Sequence, residues 1–313
     1  MVRIAVVGSC MIDLTCFARR LPKYGETIHG TSFKQDWGGK GANQCVAATR
    51  LGAETALIAC LGTDFFGSEY KIYLENSGVN TKHISQEPTQ SGVAQISVAD
   101  NGENQIIIVA GANNCLSKQK VEEASEYLTR ANVVVFQFET PLETTLYALR
   151  ICKEKNPKGL TIVNAAPAVE TLNDELYRYT DILCVNETEA QIMSGLPTTT
   201  VLECEAALKK LLTFGCKTVI ITLGEKGVIY SSPQSDNHIK HEKGKPVKNP
   251  VDTVGAGDVF VGSLAYLLAY RTDMSFERKI SVSCQIAAIS IMKKGTQSSF
   301  PYARDIPAAL LLE

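Results

Sequence analysis

The sequence lacks most of the signatures from which a function is usually read. There is no GxxxxGK[ST] loop, no GxGxxG after the first candidate strand and no kinase HRD–DFG pair, and the DFFG at 64–67 stands outside that context. Ten cysteines occur without a CxxC, and four histidines without an HExxH. These spacings argue against a zinc site or a disulfide framework, and thiols within runs such as IACLG and DILCVN read as buried and reduced. Neither sign of charge dominates. The 31 Lys and Arg against 33 Asp and Glu leave a formal net charge of −2, so no basic field draws the chain to nucleic acid or to acidic membranes. The one basic cluster, HIKHEKGKPVK at 238–248, is broken by Gly244 and Pro246 and reads as a solvated loop or hairpin. No apolar run is long enough to span a bilayer, and the opening MVRIAVVGSCMID has too short an apolar core for a secretory signal before it meets Asp13. The expected location is therefore the cytoplasm. Repeats, linkers and low-complexity tracts are absent too.

What is present is the composition of a globular protein, 45% hydrophobic and 20% charged over 313 residues. Short β-branched runs at 3–8, 55–62, 132–139, 160–164, 181–186 and 217–224 alternate with helical patterns. The helical segments are Lys40–Leu51, Gly67–Ser77, Lys118–Arg130, Leu142–Lys155, Thr188–Ser194 and Glu203–Phe214. Continuous apolar strands separated by helices imply an α/β fold with a mostly parallel sheet covered on both faces. Two long helices near 256–270 and 276–293 close the chain. Two segments interrupt the alternation: 13–37, which has no helical pattern, and 92–111, which reads as a hairpin turning at Asn101-Gly102. We expect a single α/β domain over 1–313 with a small β lid built from about 13–37 and 92–111.

Ligands of open parallel sheets bind outside the carboxyl ends of the strands. Here those ends carry Asp13, Glu139, Asn164, Asn186 with Glu189, and Thr222 with Gly224. Any one of them could simply cap the next helix; the set, in one layer, favours a polar ligand. Three glycine-rich stretches remain: WGGKGAN at 37–43, TLGEKG at 222–227 and DTVGAGD at 252–258. Each alone could be a tight turn. In the last, Gly255, Ala256 and Gly257 leave the start of a helix almost bare, so an anion could approach its free N–H groups, and Asp258 sits in the first turn beside them. A carboxylate next to a phosphoryl-binding nest can take a proton from an attacking hydroxyl. It could equally be a helix cap.

These pieces together resemble a family. WGGKGANQCVAATRLGAETALIACLGTDFFG at 37–67 and NPVDTVGAGDVFVGSL at 249–264 resemble the two signatures of the PfkB-type carbohydrate kinases, the ribokinase family. NETE at 186–189 is similar to the family's N-x-x-E motif, TLGEKG to its T-x-G-x-x-G nucleotide loop, and GTQSSFPY at 295–302 to the family's C-terminal segment. The resemblance spans almost the whole chain. It implies a three-layer α/β fold with a β lid, ATP-dependent phosphorylation of a sugar hydroxyl with magnesium, activation by potassium and a homodimer formed through the lid.

On the matching positions the resemblance makes Asp258 the catalytic base and the amides of Gly255, Ala256 and Gly257 the anion hole. Asp13, Gly39, Lys40, Asn43 and Glu139, with Asp258, become ligands of D-ribose, whose 5-hydroxyl would be the acceptor. Asn186, Thr222, Gly224, Gly227, Gly257 and Cys284 line the ATP. Glu189 would help order magnesium indirectly. Asp252, Ser299 and the carbonyls of Val254, Ser290, Lys293 and Gly295 would hold the monovalent cation. Val254 stands where the family usually has Thr, and Cys284 where it often has His or Asn near the adenine. Such a polar pocket suits a small polyol better than adenosine, although fructose, 2-deoxyribose or nucleoside phosphorylation and a non-catalytic sensor remain open alternatives.

Overall fold

A computed structural model of the chain describes residues 3–170 and 173–312. Its strands are β1 (Ile4–Val7), β2 (Met11–Ala18), β3 (Ser32–Gly38), β4 (Thr55–Gly62), β5 (Ile84–Glu87), β6 (Gly92–Ala99), β7 (Asn104–Val109), β8 (Val133–Phe136), β9 (Leu160–Asn164), β10 (Ile182–Asn186), β11 (Thr218–Thr222), β12 (Gly227–Ser231) and β13 (Lys240–Lys243). Nine of them form one sheet in the order β13-β12-β11-β10-β9-β8-β1-β4-β5, and four form a second in the order β3-β2-β6-β7. From β11 through β5 every pairing in the large sheet is parallel; β12 and β13 join antiparallel at one edge.

The parallel strands are apolar at consecutive positions because both faces are covered, as the sequence pattern requires. Along β1, Ile4 and Val6 face one core while Ala5 and Val7 face the other. The first core is closed by α1 (Lys40–Arg50), α2 (Phe65–Asn76) and the two long C-terminal helices; the second by α3 (Lys118–Glu123), α4 (Ser125–Arg130), α5 (Leu142–Lys155), α6 (Asp174–Arg178), α7 (Glu187–Ser194) and α8 (Val201–Leu212). The two C-terminal helices are α9 (Ala256–Tyr270) and α10 (Phe276–Ser290), and the short α11 (Ala308–Leu312) ends the described chain. No helix among the described residues is long and apolar enough to cross a membrane.

Three details differ from the sequence pattern, and one reading left open between two forms is decided. The helix expected over Lys118–Arg130 is broken at Ala124, where ψ of 3° leaves helical geometry, giving α3 and α4. The run at 132–139 stops being strand at Phe136, which frees Glu139 to turn toward the site. The edge strand β5 and the five-residue α6 have no pattern strong enough to announce them; α6 forms on the cap that Asn173 gives to Glu175 N–H. The basic stretch 238–248 contributes β13, paired antiparallel with β12, which makes it a hairpin.

The four-stranded sheet contains both segments that interrupted the α/β alternation. β2 and β3 pair antiparallel, and β6 and β7 form the hairpin whose turn holds Gly102 at φ 87°. β2 joins them by pairing parallel with β6. Register puts Asp13, Asp36 and Ala94 side by side on one face.

Candidate active site

The site is assembled where α1 and α9 begin, at the carboxyl ends of the central strands. The GGKG stretch makes that packing possible. A Cβ on Gly38 would strike the Asp13 carboxylate, and one on Gly41 the backbone of Gly8 and Ser9. Gly39, with φ at 87°, turns the chain from β3 straight into α1. Lys40 is thus the first residue of α1, and Asn43 and Gln44 follow one turn later on the buried side.

Asp258 lies in the first turn of α9 and is 8% exposed. It is not the cap: that position is Gly255, in the left-handed region at φ 78° and without a side-chain hydrogen bond. Instead the Asp258 carboxylate accepts from Asn43 Nδ2 at Oδ2 and from Gln44 Nε2 at Oδ1, both at 2.9 Å. The helix-cap alternative is thereby set aside. Glu139 accepts from Ser9 Oγ and, at 2.8 Å, from the N–H of Lys40, which fixes the start of α1.

Electrostatics bind these groups into one cluster. Burial works against the Lys40 charge, but Asp258, Glu139, Glu189 and Asp13 outweigh it and hold its pKa above the usual lysine value. Asp13 goes the other way: burial first, then the neighbouring Asp36, Glu139 and Asp258, push its pKa up to about 7 against the opposing pull of Lys40. Glu189 is raised by burial, although the Asn186 N–H and Lys40 oppose the shift.

A cavity of about 200 Å³ opens beside Asp258. Seven expected site residues line it: Lys40, Asn186, Glu189, Thr222, Gly255, Gly257 and Asp258. Asn164, Ala166, Cys184, Val185 and Val261 complete the wall. Gly257 has nothing within 4 Å of where its Cβ would be, so packing does not require glycine there, whereas a Cβ on Gly255 would meet the Phe300 ring at 2.9 Å. Of the three bare amides, that of Ala256 leans toward the Thr253 carbonyl at 3.3 Å. Asn186 and Glu189 form a capping box on α7, each side chain bonded to the other's N–H at 2.8 Å, so this pair caps its helix and faces the cavity at once. Gly224 and Gly227 occupy the turn between β11 and β12, next to Thr222 but outside the cavity wall; Gly227 is also demanded by packing, because a Cβ would strike the Glu242 carbonyl. Cys284, half-buried on α10, is outside the wall too, and burial pushes its thiol up to about 12.

The cation set is partly drawn together. Asp252 Oδ1 accepts from Val254 N–H at 3.0 Å and Oδ2 from Gly295 N–H at 2.9 Å, which ties the loop before α9 to the segment after α10. Ser290 and Ser299 are buried at that junction, each hydroxyl donating to a carbonyl three residues back. One carboxylate with main-chain carbonyls is a low-charge oxygen set, a fit for a large monovalent ion. Among the described residues no group of three or more His, Cys, Asp or Glu is placed to hold a metal ion.

Nothing in the sequence pattern singles out Gln44, Gln297, Tyr70 or Ser9, yet all four are buried and bonded into the site. The available signals were their polarity inside stretches that otherwise pack and, for Gln44 and Gln297, a place inside the family-like stretches 37–67 and 295–302.

A model of the pfkB family carbohydrate kinases matches residues 1–303. Ribokinase of Mus musculus is 42% identical over 308 residues, covering 98% of this chain and 94% of its own. Deoxyribokinase of Salmonella typhi is 38% identical, covering 95% of each. The structure of Arabidopsis thaliana ribokinase complexed with ribose and ATP superposes with a TM-score of 0.88 at 29% identity, with 100% of both chains covered. With a family match over nearly all of its length and this site at the sheet's carboxyl edge, the chain belongs to the pfkB family of carbohydrate kinases.

Proposed function

We propose that the enzyme transfers the γ-phosphoryl group of ATP to the 5-hydroxyl of D-ribose, giving ribose 5-phosphate and ADP. The observation that carries this reading is the Asp258 carboxylate, held by two amides in a cavity that also contains Lys40 and the bare start of α9. The 42% identity to a ribokinase and the likeness to a ribose and ATP complex support ribose over other sugars.

In this reading Asp13, Glu139, Lys40, Asn43 and the Gly39 backbone receive the ribose hydroxyls. Asp258 takes the proton of the 5-hydroxyl as its oxygen bonds to the γ-phosphorus and the bond to the ADP oxygen breaks. Charge on the transferring group falls on the amides of Gly255–Gly257, at the positive end of the α9 dipole. Lys40 offers a cation on the same side of the cavity. Asn186, Thr222, Gly224 and Gly227 serve the nucleotide, with Cys284 at the adenine edge. Bound magnesium would supply charge neutralisation on the phosphates, with Glu189 placed to order it through water. Asp252, Ser299 and the carbonyls of Val254, Ser290, Lys293 and Gly295 would hold potassium. We assign one kinase domain over 1–313, the small sheet as its lid, a homodimer through that lid and a cytoplasmic setting.

A second reading, 2-deoxyribose as the substrate, is favoured by the deoxyribokinase relative at 38% identity. ADP release against ribose, 2-deoxyribose, fructose and adenosine decides. The expected order places ribose first in kcat/KM, and a higher value for any other acceptor replaces this proposal.

A further inference from the structure

Asp258 sits at the centre of a buried chain of carboxamides of which the sugar and nucleotide contacts account only for Asn43. A carboxylate only accepts, so the nitrogen of each flanking amide must face it, and the rest of the chain is fixed outward from there. Gln44 gives its nitrogen to Asp258 Oδ1 and to Asn164 Oδ1, both at 2.9 Å, and its oxygen accepts from Gln137 Nε2 at 2.6 Å. Asn43 gives its nitrogen to Asp258 Oδ2, and its oxygen accepts from Gln297 Nε2 at 2.9 Å. Gln297 also donates to Tyr70, whose hydroxyl donates to the Gly38 carbonyl at 2.6 Å. Gln44, Gln137 and Gln297 are each no more than 1% exposed.

Such a network is costly to bury for packing alone, since apolar side chains of like size would fill the space without desolvating amides. The Gln137 and Gln297 oxygens even lack partners. What the network accomplishes is specific: it places one N–H on each oxygen of a single carboxylate. Hydrogen bonds to a carboxylate favour its ionised form, and two of them from rigid neighbours fix the plane of the group.

We infer that Gln44, held in place by Gln137, is a positioning residue that keeps the Asp258 carboxylate aimed into the cavity. This rests on the reading of Asp258 as the base. Other ionisable groups act on the same carboxylate: Lys40 from α1, Asp13 from β2, Glu189 from α7 and Cys184 from β10, with Glu139 beside Lys40 and Cys284 of α10 beside Cys184. None of them donates a hydrogen bond to it, so Gln44 contributes a directional contact that they do not.

The test is a pH–rate series on the full-length enzyme with ribose, ATP and magnesium, comparing wild type, Gln44→Glu, Gln44→Met and Asp258→Asn. Gln44→Glu retains an acceptor for Gln137 and sets a second carboxylate against Asp258, and carboxylates that close share a proton. The acid limb of its kcat profile should move up by about one pH unit or more, so that activity is lost first on the acid side and recovers as pH rises. Ribose KM on the plateau should stay within about threefold. Gln44→Met removes the donor without adding charge and should move the limb the same way by about half a unit. An unmoved limb in both variants, or a loss of kcat by the same factor at every pH, overturns the inference and leaves Gln44 a packing residue. If Gln44→Glu does not fold by its thermal transition, the Met variant decides by the same criterion. Asp258→Asn keeps the two failures apart. Near-normal kcat in that variant removes the base itself, whereas a dead Asp258→Asn with an unmoved Gln44 limb removes only this inference.

Discussion

Asp13 and Asp258 act on each other electrostatically and are held differently, and the difference has a consequence for stability. Asp258 has an amide on each oxygen, whereas burial and three neighbouring carboxylates push Asp13 up to about 7 from 3.8. A carboxyl with a raised folded pKa retains a proton that the unfolded chain has released, so it costs stability as pH rises. The cost begins near the unfolded value of 3.8 and is complete above about 7. Asp13→Asn should therefore unfold like wild type near pH 4 and be more stable above pH 7, by on the order of 1–3 kcal/mol after allowance for partial solvent screening. The same variant should lose ribose affinity with little change in ATP KM, because an ionised carboxylate accepts from hydroxyls and an amide does so less well. Thermal unfolding from pH 4 to 8 checks it; a difference from wild type that is constant with pH refutes the buried-carboxyl account. At this scale the sequence announced what is local. Gly39, Lys40 and Asp258 are legible because backbone turns and helix starts have residue signatures. Gln44 was not, because a glutamine in a helix looks like surface until its partner, 214 residues away, is brought against it.

Helices and strands were easier to read than the loops that join them. Apolar runs located the central strands and 3.6-residue periodicity the long helices, while β5 and α6 are short enough that tertiary packing, not pattern, makes them. The start of α9 shows how an element can be shaped by something other than its own stability. A methyl at Gly257 would meet no protein atom within 4 Å, and Ala is the better helix former by up to about 0.5 kcal/mol near a helix end. Gly257→Ala should therefore unfold at the same or a slightly higher temperature than wild type and yet lose about tenfold or more in kcat, because the methyl takes the room of a phosphoryl oxygen. Unchanged kcat would mean that no anion reaches that amide. The loop before α9 is a second case. Asp252 clasps Gly295 N–H, so an ion shared by the two segments would set the direction of the 255–257 amides without touching substrate. Potassium should then raise kcat over sodium or a bulky organic cation at equal ionic strength, with smaller effects on either KM. Equal rates in all three salts would remove the ion from the account.

The two sheets of the molecule face opposite problems with solvent. The nine-stranded sheet is covered on both faces, but the four-stranded one spends one face on the Asp13 side and has little to put over the other. Its edge strand β7 has Ile106, Ile107, Ile108 and Val109 between 53% and 65% exposed, and Phe33 on the outer face of β3 is 63% exposed. Register sets Ile108 on the Asp13 face through Ala94, so Ile107 points outward, in a row with Gln95, Leu14 and Gln35. A groove of about 460 Å³ on the same sheet is lined by Cys16, Leu21, Ile28 and Phe33 among others. Four consecutive exposed apolar residues on an edge strand form an open template for another β-strand, and natural proteins charge, shorten or cover such edges. Nothing in NQIIIV charges it. A second copy of the chain meeting the first through this sheet would bury the patch, and it would also hold β2, with Asp13, at a fixed height over the cavity. Light scattering at assay concentration should accordingly give about twice the chain mass of 33.9 kDa. Ile107→Glu should shift that mass toward the single chain and raise ribose KM more than it lowers kcat, since a charge on the outer face leaves Asp258 untouched while loosening the sheet that contributes Asp13. A wild-type enzyme that is a stable and fully active monomer would show instead that the patch stays in water, and that the small sheet needs no partner to close over its substrate.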